Sequence, residues 1–220
     1  MVDLEIDSRL PDLTSTSERQ TALSIVREAA MGCRDCPLWE IGTQTVFGVG
    51  PATSQLLFIG EAPGAQEDKA GEPFVGPAGK LFTEAVEAAG LSRADVFVTN
   101  VVKHRPWVQS GKRQKNRAPK QSEINACRQW RIRELAIVQP SVVGCLGAHA
   151  AREMLGREFK LTEQRGQWQA IDTAPHVMAT LHPSYVLIQP EESYARVRDV
   201  FFADIKAIAD RFREVSAGGG

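Results

Sequence analysis

Four short apolar runs, QLLFIG (55–60), DVFVTNV (95–101), SVVGCLG (141–147) and HVMATLH (176–182), alternate along this chain with stretches of helical periodicity. Runs of this length, rich in Val, Leu, Ile and Phe, read as strands buried on both faces. The helical stretches are GKLFTEAVEAAG, SEINACRQWRIRELAIV, AHAAREMLG and a last one near SYARVRDVFFADIKAIADRFREV. Strand and helix in regular alternation predict an α/β fold, a three-layer sandwich with a central parallel sheet flanked by helices. A length of 220 residues suits one domain, expected over 18–215, with a weakly structured arm at 1–17 and a disordered tail at 216–220. No run of about 18 uncharged apolar residues occurs, and the acidic start MVDLEIDSRLPDL lacks a signal-peptide core. The expectation is an intracellular, cytoplasmic protein with no membrane contact.

In such a sheet, ligands bind outside the carboxyl ends of the strands, and polar chemistry collects at those positions. GEAPG (60–64) follows the first run, Asn100 closes the second, Cys145 and Gly147 close the third, and HPS (182–184) follows the fourth. The Gly- and Pro-rich stretch 60–82 lets backbone approach a ligand closely, yet it has neither dinucleotide nor P-loop spacing. Glu61 stands where a carboxylate enters a partly dry pocket, or else caps loop amides. Phe74 reads as a stacking plate or as a plug for the core. Asn100 carries one acceptor and two donors, enough to read an amide-like base edge, and equally suits a turn. His182, held before a proline, can donate toward developing negative charge.

Residues 101–120 hold seven Lys or Arg and no acid, which leaves the other 200 residues at about −8 in a chain of net charge −1. Charge sorted in this way suits a polyanion. Five phosphate contacts from it would give a log–log salt slope near about −3.5 on single strands. Trp107 in this segment is a candidate for stacking on an unpaired base. Four cysteines occur, as Cys33-x-x-Cys36, Cys127 and Cys145. In a cytosolic protein this set suits a four-thiolate site for zinc or an iron-sulfur cluster, and spacing alone does not choose between them.

Taken in order, CRDC, GEAPG with EDKAGEPFVGPAGKLF, VTNVVKH, GKRQKN, ACRQW, GCLGA and LHPS resemble the family-4 type of iron-sulfur uracil-DNA glycosylases, and within it the UdgX-like branch. The resemblance runs from about Cys33 to Tyr185. It implies a uracil-DNA glycosylase-like fold, a [4Fe-4S] cluster on Cys33, Cys36, Cys127 and Cys145, and excision of uracil from single- and double-stranded DNA, with abasic DNA as product; a monomer is the expected state for reaching a single lesion. Glu61 and His182 take the catalytic roles; Gly60, Ala62, Phe74 and Asn100 form the uracil pocket. Lys103, His104, Arg105, Lys112, Arg113, Lys115, Asn116, Arg117, Ser184 and Tyr185 are expected to contact DNA, with Tyr185 or Leu187 as a wedge where the base has left. The sequence departs from the UdgX-like pattern at one place. Where covalently captured relatives carry KRRIH, this chain has KRQKN, so Asn116 stands where the nucleophilic histidine would be and water is the expected acceptor. His104 is the only histidine near that segment.

Overall fold

The computed structural model describes residues 13–218. In chain order the elements are α1 (Thr16–Met31), α2 (Leu38–Ile41), β1 (Leu56–Gly60), α3 (Ala65–Ala70), α4 (Pro77–Ala88), β2 (Phe97–Asn100), β3 (Trp107–Ser110), β4 (Arg113–Asn116), α5 (Gln121–Val138), β5 (Val142–Leu146), α6 (Ala148–Leu155), α7 (Leu161–Gln164), β6 (Trp168–Ile171), β7 (Ala174–Thr180), α8 (Pro183–Leu187) and α9 (Glu191–Gly218).

Five strands form one sheet in the order β2-β1-β5-β7-β6. The first four run parallel, and β6 pairs antiparallel with β7. The sheet is therefore mixed and mostly parallel, with helices on both faces as the alternation predicts. Every residue of β1, β2 and β5 is buried, which is why these strands read as unbroken apolar runs. Successive side chains part to opposite faces. Leu57, Ile59, Val143 and Val177 join Leu23 of α1 and Ile124 and Trp130 of α5 in one core. Leu56, Phe58, Val142 and Met178 join Phe82 of α4 and Phe201 and Ile205 of α9 in the other.

Two features depart from expectation at the termini. α1 begins inside the predicted arm, because Ser15 and Glu18 make a reciprocal capping box: the Glu18 amide donates to Ser15 Oγ (3.2 Å) and the Ser15 amide to Glu18 Oε2 (2.7 Å). At the other end α9 continues through Ser216–Gly218, so the helix overrides the small-residue composition that predicts a disordered tail. The rest of the predicted arm, residues 1–12, and of the tail, residues 219 and 220, lies outside the described residues.

The strand order matters for function. The chain leaves β1 through α4 over one face to reach β2, but leaves β5 through α6 over the other face to reach β7. Loops after β1 and β5 therefore diverge and open a crevice between adjacent strand ends.

Candidate active site and nucleic-acid interface

A cavity of about 650 Å³ occupies that crevice, and the loops after all four parallel strands contribute to it. Glu61, Ala62 and Phe74 come from the segment after β1, Asn100 from the end of β2, His149 from the stretch after β5, and His182 from the stretch after β7. Five of the pocket residues expected from sequence, Glu61, Ala62, Phe74, Asn100 and His182, share this one cavity. Gly60, the sixth, is not among the lining residues but lies against two of them: a Cβ there would lie 2.5 Å from Phe74 Cζ and 2.6 Å from Asn100 Oδ1. The missing side chain leaves the gap between ring and amide open.

Phe74 itself sits at φ 60, a left-handed conformation that a non-glycine residue adopts at a cost of about 1–3 kcal/mol. Two neighbours hold it there. Its ring packs on Phe82 (centroids 5.4 Å apart), and its carbonyl lies against Gly79, where a Cβ would come within 1.8 Å. Glu67, buried and overlooked in the sequence, ties the two ends of the loop together. Its carboxylate accepts the amides of Gly64 (3.1 Å) and Gly76 (2.7 Å).

Asn100 is 2 % exposed, and its Oδ1 has no hydrogen-bond partner among the described residues. A buried acceptor left unpaired costs roughly 1–3 kcal/mol, which a ligand donor would recover. Behind it Lys103 donates to the Asn100 carbonyl (2.8 Å), to Thr99 Oγ1 (2.6 Å) and to Glu134 Oε2 (2.7 Å). Glu134 also accepts the Gly48 amide and the Thr99 hydroxyl, so the base-facing strand end is braced from α5.

His182 is neutral, because burial pushes its imidazole down to about 4. The Ser184 amide donates to Nδ1 (3.1 Å), and Ser184 Oγ lies 2.6 Å from the same nitrogen. A nitrogen that accepts carries no proton, so the ring holds its hydrogen on Nε2 and is a donor. Ser184, expected on DNA, is thus committed to setting this tautomer. Across the cavity Glu61 Oε2 lies 3.0 Å from His149 Nδ1. His149 carried no recognisable signal in the sequence; only the placement of α6 after β5 brings it to Glu61.

The basic segment divides on folding. Lys103 is 1 % exposed and paired with Glu134, and His104 is buried with Nε2 3.0 Å from Thr45 Oγ1, so neither reaches DNA and His104 cannot serve as a nucleophile. Arg105 is buried too; it donates to Asn116 Oδ1 (2.7 Å) and Gln114 Oε1 (3.0 Å), bracing the hairpin instead of touching phosphate. Arg117 lines the cavity but is held by Glu123 through two bonds, at 2.6 and 2.8 Å. Trp107 donates its indole N–H to the Ile41 carbonyl (2.6 Å), which anchors the hairpin. Lys112, Arg113 and Lys115 stand exposed on the antiparallel β3–β4 hairpin, and Asn116 lines the cavity at its base. On the opposite rim the tip around α8 is apolar: Tyr185 is 48 %, Leu187 38 % and Ile188 76 % exposed. Ile188 exceeds both residues expected as wedges.

The cysteines belong to the α1/α5 core, away from the cavity. Cys33 and Cys36 follow α1, Cys127 lies on α5 and Cys145 in β5; no disulfide joins them. Two N–H groups aim at sulfur: Trp130 Nε1 at Cys33 Sγ and the Lys103 amide at Cys127 Sγ, each 3.2 Å. Burial pushes the Cys127 and Cys145 thiols up to about 12; for Cys127, repulsion from Cys36 and Cys33 adds to it. Thiolates in that setting need a cation. Among the described residues no three His, Cys, Asp or Glu side chains are arranged to hold a metal ion. Four thiolates on one zinc would stand about 3.8 Å apart, given Zn–S near 2.3 Å; a multi-iron cluster spreads its ligands wider. The aimed N–H donors and the shared core suit a thiolate-bound group, and they do not choose between zinc and an iron-sulfur cluster.

Residues 47–206 match the family described as the Uracil DNA glycosylase superfamily. The chain is similar to the type-4 uracil-DNA glycosylase of Sulfurisphaera tokodaii, at 35 % identity over 87 % of this chain and 90 % of that protein. It is similar also to those of Archaeoglobus fulgidus (38 % identity, 84 % and 90 % covered) and Thermotoga maritima (36 %, 81 % and 90 %).

Proposed function

Since the chain belongs to the uracil DNA glycosylase superfamily, we propose that it excises uracil from DNA by hydrolysing the bond between base and deoxyribose, leaving an abasic site. The observation that carries this reading is the unpaired, buried Asn100 Oδ1 beside Phe74, in the cavity that also holds Glu61 and His182. An acceptor in that position suits the N–H edge of a uracil stacked on the Phe74 ring.

The chemistry follows from what each group offers. Bond breaking places positive charge on the sugar and negative charge on the departing base. Glu61, as an anion, stabilises the first. His182 donates its Nε2–H to the second, and loss of one such donor typically costs about 2.7–4 kcal/mol of transition-state stabilisation. The base must leave the helix to reach the cavity, at a cost of a few kcal/mol that is least for single strands. Leu187 and Ile188 on the apolar rim are placed to fill the space it vacates, while Lys112, Arg113 and Lys115 hold phosphates on the other side.

The four cysteines would carry a [4Fe-4S] cluster, whose contribution is to pin the Cys33–Cys36 turn to α5 and β5. The loop 112–116 resembles that of a UdgX-like branch, with Asn116 standing where the capturing histidine would be. An amide is a poor nucleophile, because its nitrogen lone pair is delocalised into the carbonyl, and its Oδ1 is already taken by Arg105. Water is then the acceptor, and the enzyme acts inside the cell as a monomer that releases abasic DNA.

A denaturing gel of a single-stranded uracil oligonucleotide, with and without alkali, tests the reading. Alkali-dependent cleavage with no slow-migrating adduct is expected. An adduct would overturn hydrolysis, and the absence of both products would leave a protein that binds uracil DNA without turnover.

A further inference from the structure

Glu61 enters the cavity from the end of β1 and His149 from the first turn of α6. They meet across the crevice, Nδ1 to Oε2 at 3.0 Å. A carboxylate against Nδ1 keeps the proton of a neutral imidazole on that nitrogen, which leaves the Nε2 lone pair free. His149 is half-exposed and lines the same cavity, and Glu61 is its one side-chain partner among the described residues. Carboxylate, imidazole and a free basic nitrogen thus follow one another in the cavity, which His182 lines as a donor.

Resting on the glycosylase reading above, we propose that His149 is the general base of the hydrolysis, oriented by Glu61. A carboxylate beside a cationic sugar serves best as a fixed anion and is a weak base near neutrality, whereas an imidazole titrating there matches the demand of proton transfer. In the step, the water oxygen bonds to the sugar carbon. The bond from that carbon to the base nitrogen breaks, and its electron pair leaves on the base, which His182 Nε2–H stabilises. The water proton passes to His149 Nε2 and from there to solvent.

The charged groups facing His149 are Glu61 across the crevice, His182 in the same cavity and Arg152 one turn along α6; Glu67 acts behind the loop, on His182. The hydrogen bond from Glu61 prevails over burial and Arg152 and raises the His149 imidazole above its ordinary 6.5. A base works when neutral. Excision should therefore rise with pH through a midpoint above 6.5.

Single-turnover release of uracil from a single-stranded oligonucleotide across the neutral pH range tests this on wild type and His149→Gln. Gln can still bond Glu61 but cannot take a proton. The variant is expected to lose about 10²-fold in rate, together with the rise in the pH profile, while binding uracil DNA as before. A rate within about threefold of wild type, or a retained rise, overturns the inference while wild-type activity keeps the glycosylase reading intact. A wild type that releases no uracil at any pH overturns both. A DNA adduct on His149 also overturns it, since the imidazole would then be a nucleophile. Titration of the His149 ring by NMR gives a readout independent of turnover: Glu61→Gln should lower its midpoint, and an unchanged midpoint overturns the pairing.

Discussion

At the residue scale, function turns on a few side chains whose freedom has been removed. Asn116 is one of them: Arg105 fixes its Oδ1 at the cavity's edge. An imidazole there would face the same space with a usable lone pair. Asn116→His should therefore yield a protein–DNA adduct, visible as a slow band on a denaturing gel; a variant that only hydrolyses would count against the UdgX-like alignment. His182 supports a prediction about acidity. Its folded value near 4 lies below the ordinary 6.5, so as pH falls through that interval the unfolded chain takes up a proton that the folded site refuses. Stability should decline from pH 6.5 toward 4. His182→Gln should flatten that part of a plot of Tm against pH. Asn100, Phe74, Glu61 and His182 were legible in the sequence because each directly follows an apolar run or sits in a Gly-rich loop. His149 was not, since nothing local marks a histidine inside an alanine-rich helix, and its partner Glu61 lies four strands earlier in the chain.

At the element scale, the basic segment shows how sequence charge overstates surface charge. Its run of cations predicted a broad phosphate clamp, but Lys103, Arg105 and Arg117 are turned to Glu134, to Asn116 with Gln114, and to Glu123. Pairing partners drawn from α5 cannot be seen from a window on 101–120. The exposed remainder is the β3–β4 hairpin, with Lys120 at the start of α5. The salt slope on single-stranded DNA should then fall from about −3.5 to between about −2 and −3, and Lys112, Arg113 and Lys115 replaced together by Ala should remove about 2 units of it. Fluorescence anisotropy across a salt series measures both. The buried brace has a different signature. Lys103→Met would leave Glu134 charged and unpaired in the core and should cost about 3–5 kcal/mol in urea unfolding. Weaker uracil binding should accompany it, because the same ammonium holds the Asn100 carbonyl.

At the scale of the whole molecule, the parallel core and its helices were readable because strands buried on both faces leave unbroken apolar runs. The edges were less so: β6 is short and half-exposed, and α1 announces itself only by a capping box. The cysteines tie such an edge to the centre, joining the turn after α1 to α5 and β5. Removal of the cluster proposed for the four cysteines should thus lower Tm and loosen α1 before the sheet, with hydrogen exchange rising first at 16–36; uniform loss of protection would argue against a local staple. The cavity draws Glu61 from the first strand end and His182 from the last parallel one, with His149 between. During synthesis, then, a nascent chain holds Glu61 and the base-reading residues long before it has His149 and His182 to complete the cutting site. A product cut short before β7 would lack the donor and much of the sheet, so premature termination yields an inert fragment and not an enzyme with relaxed selectivity loose among the cell's genes.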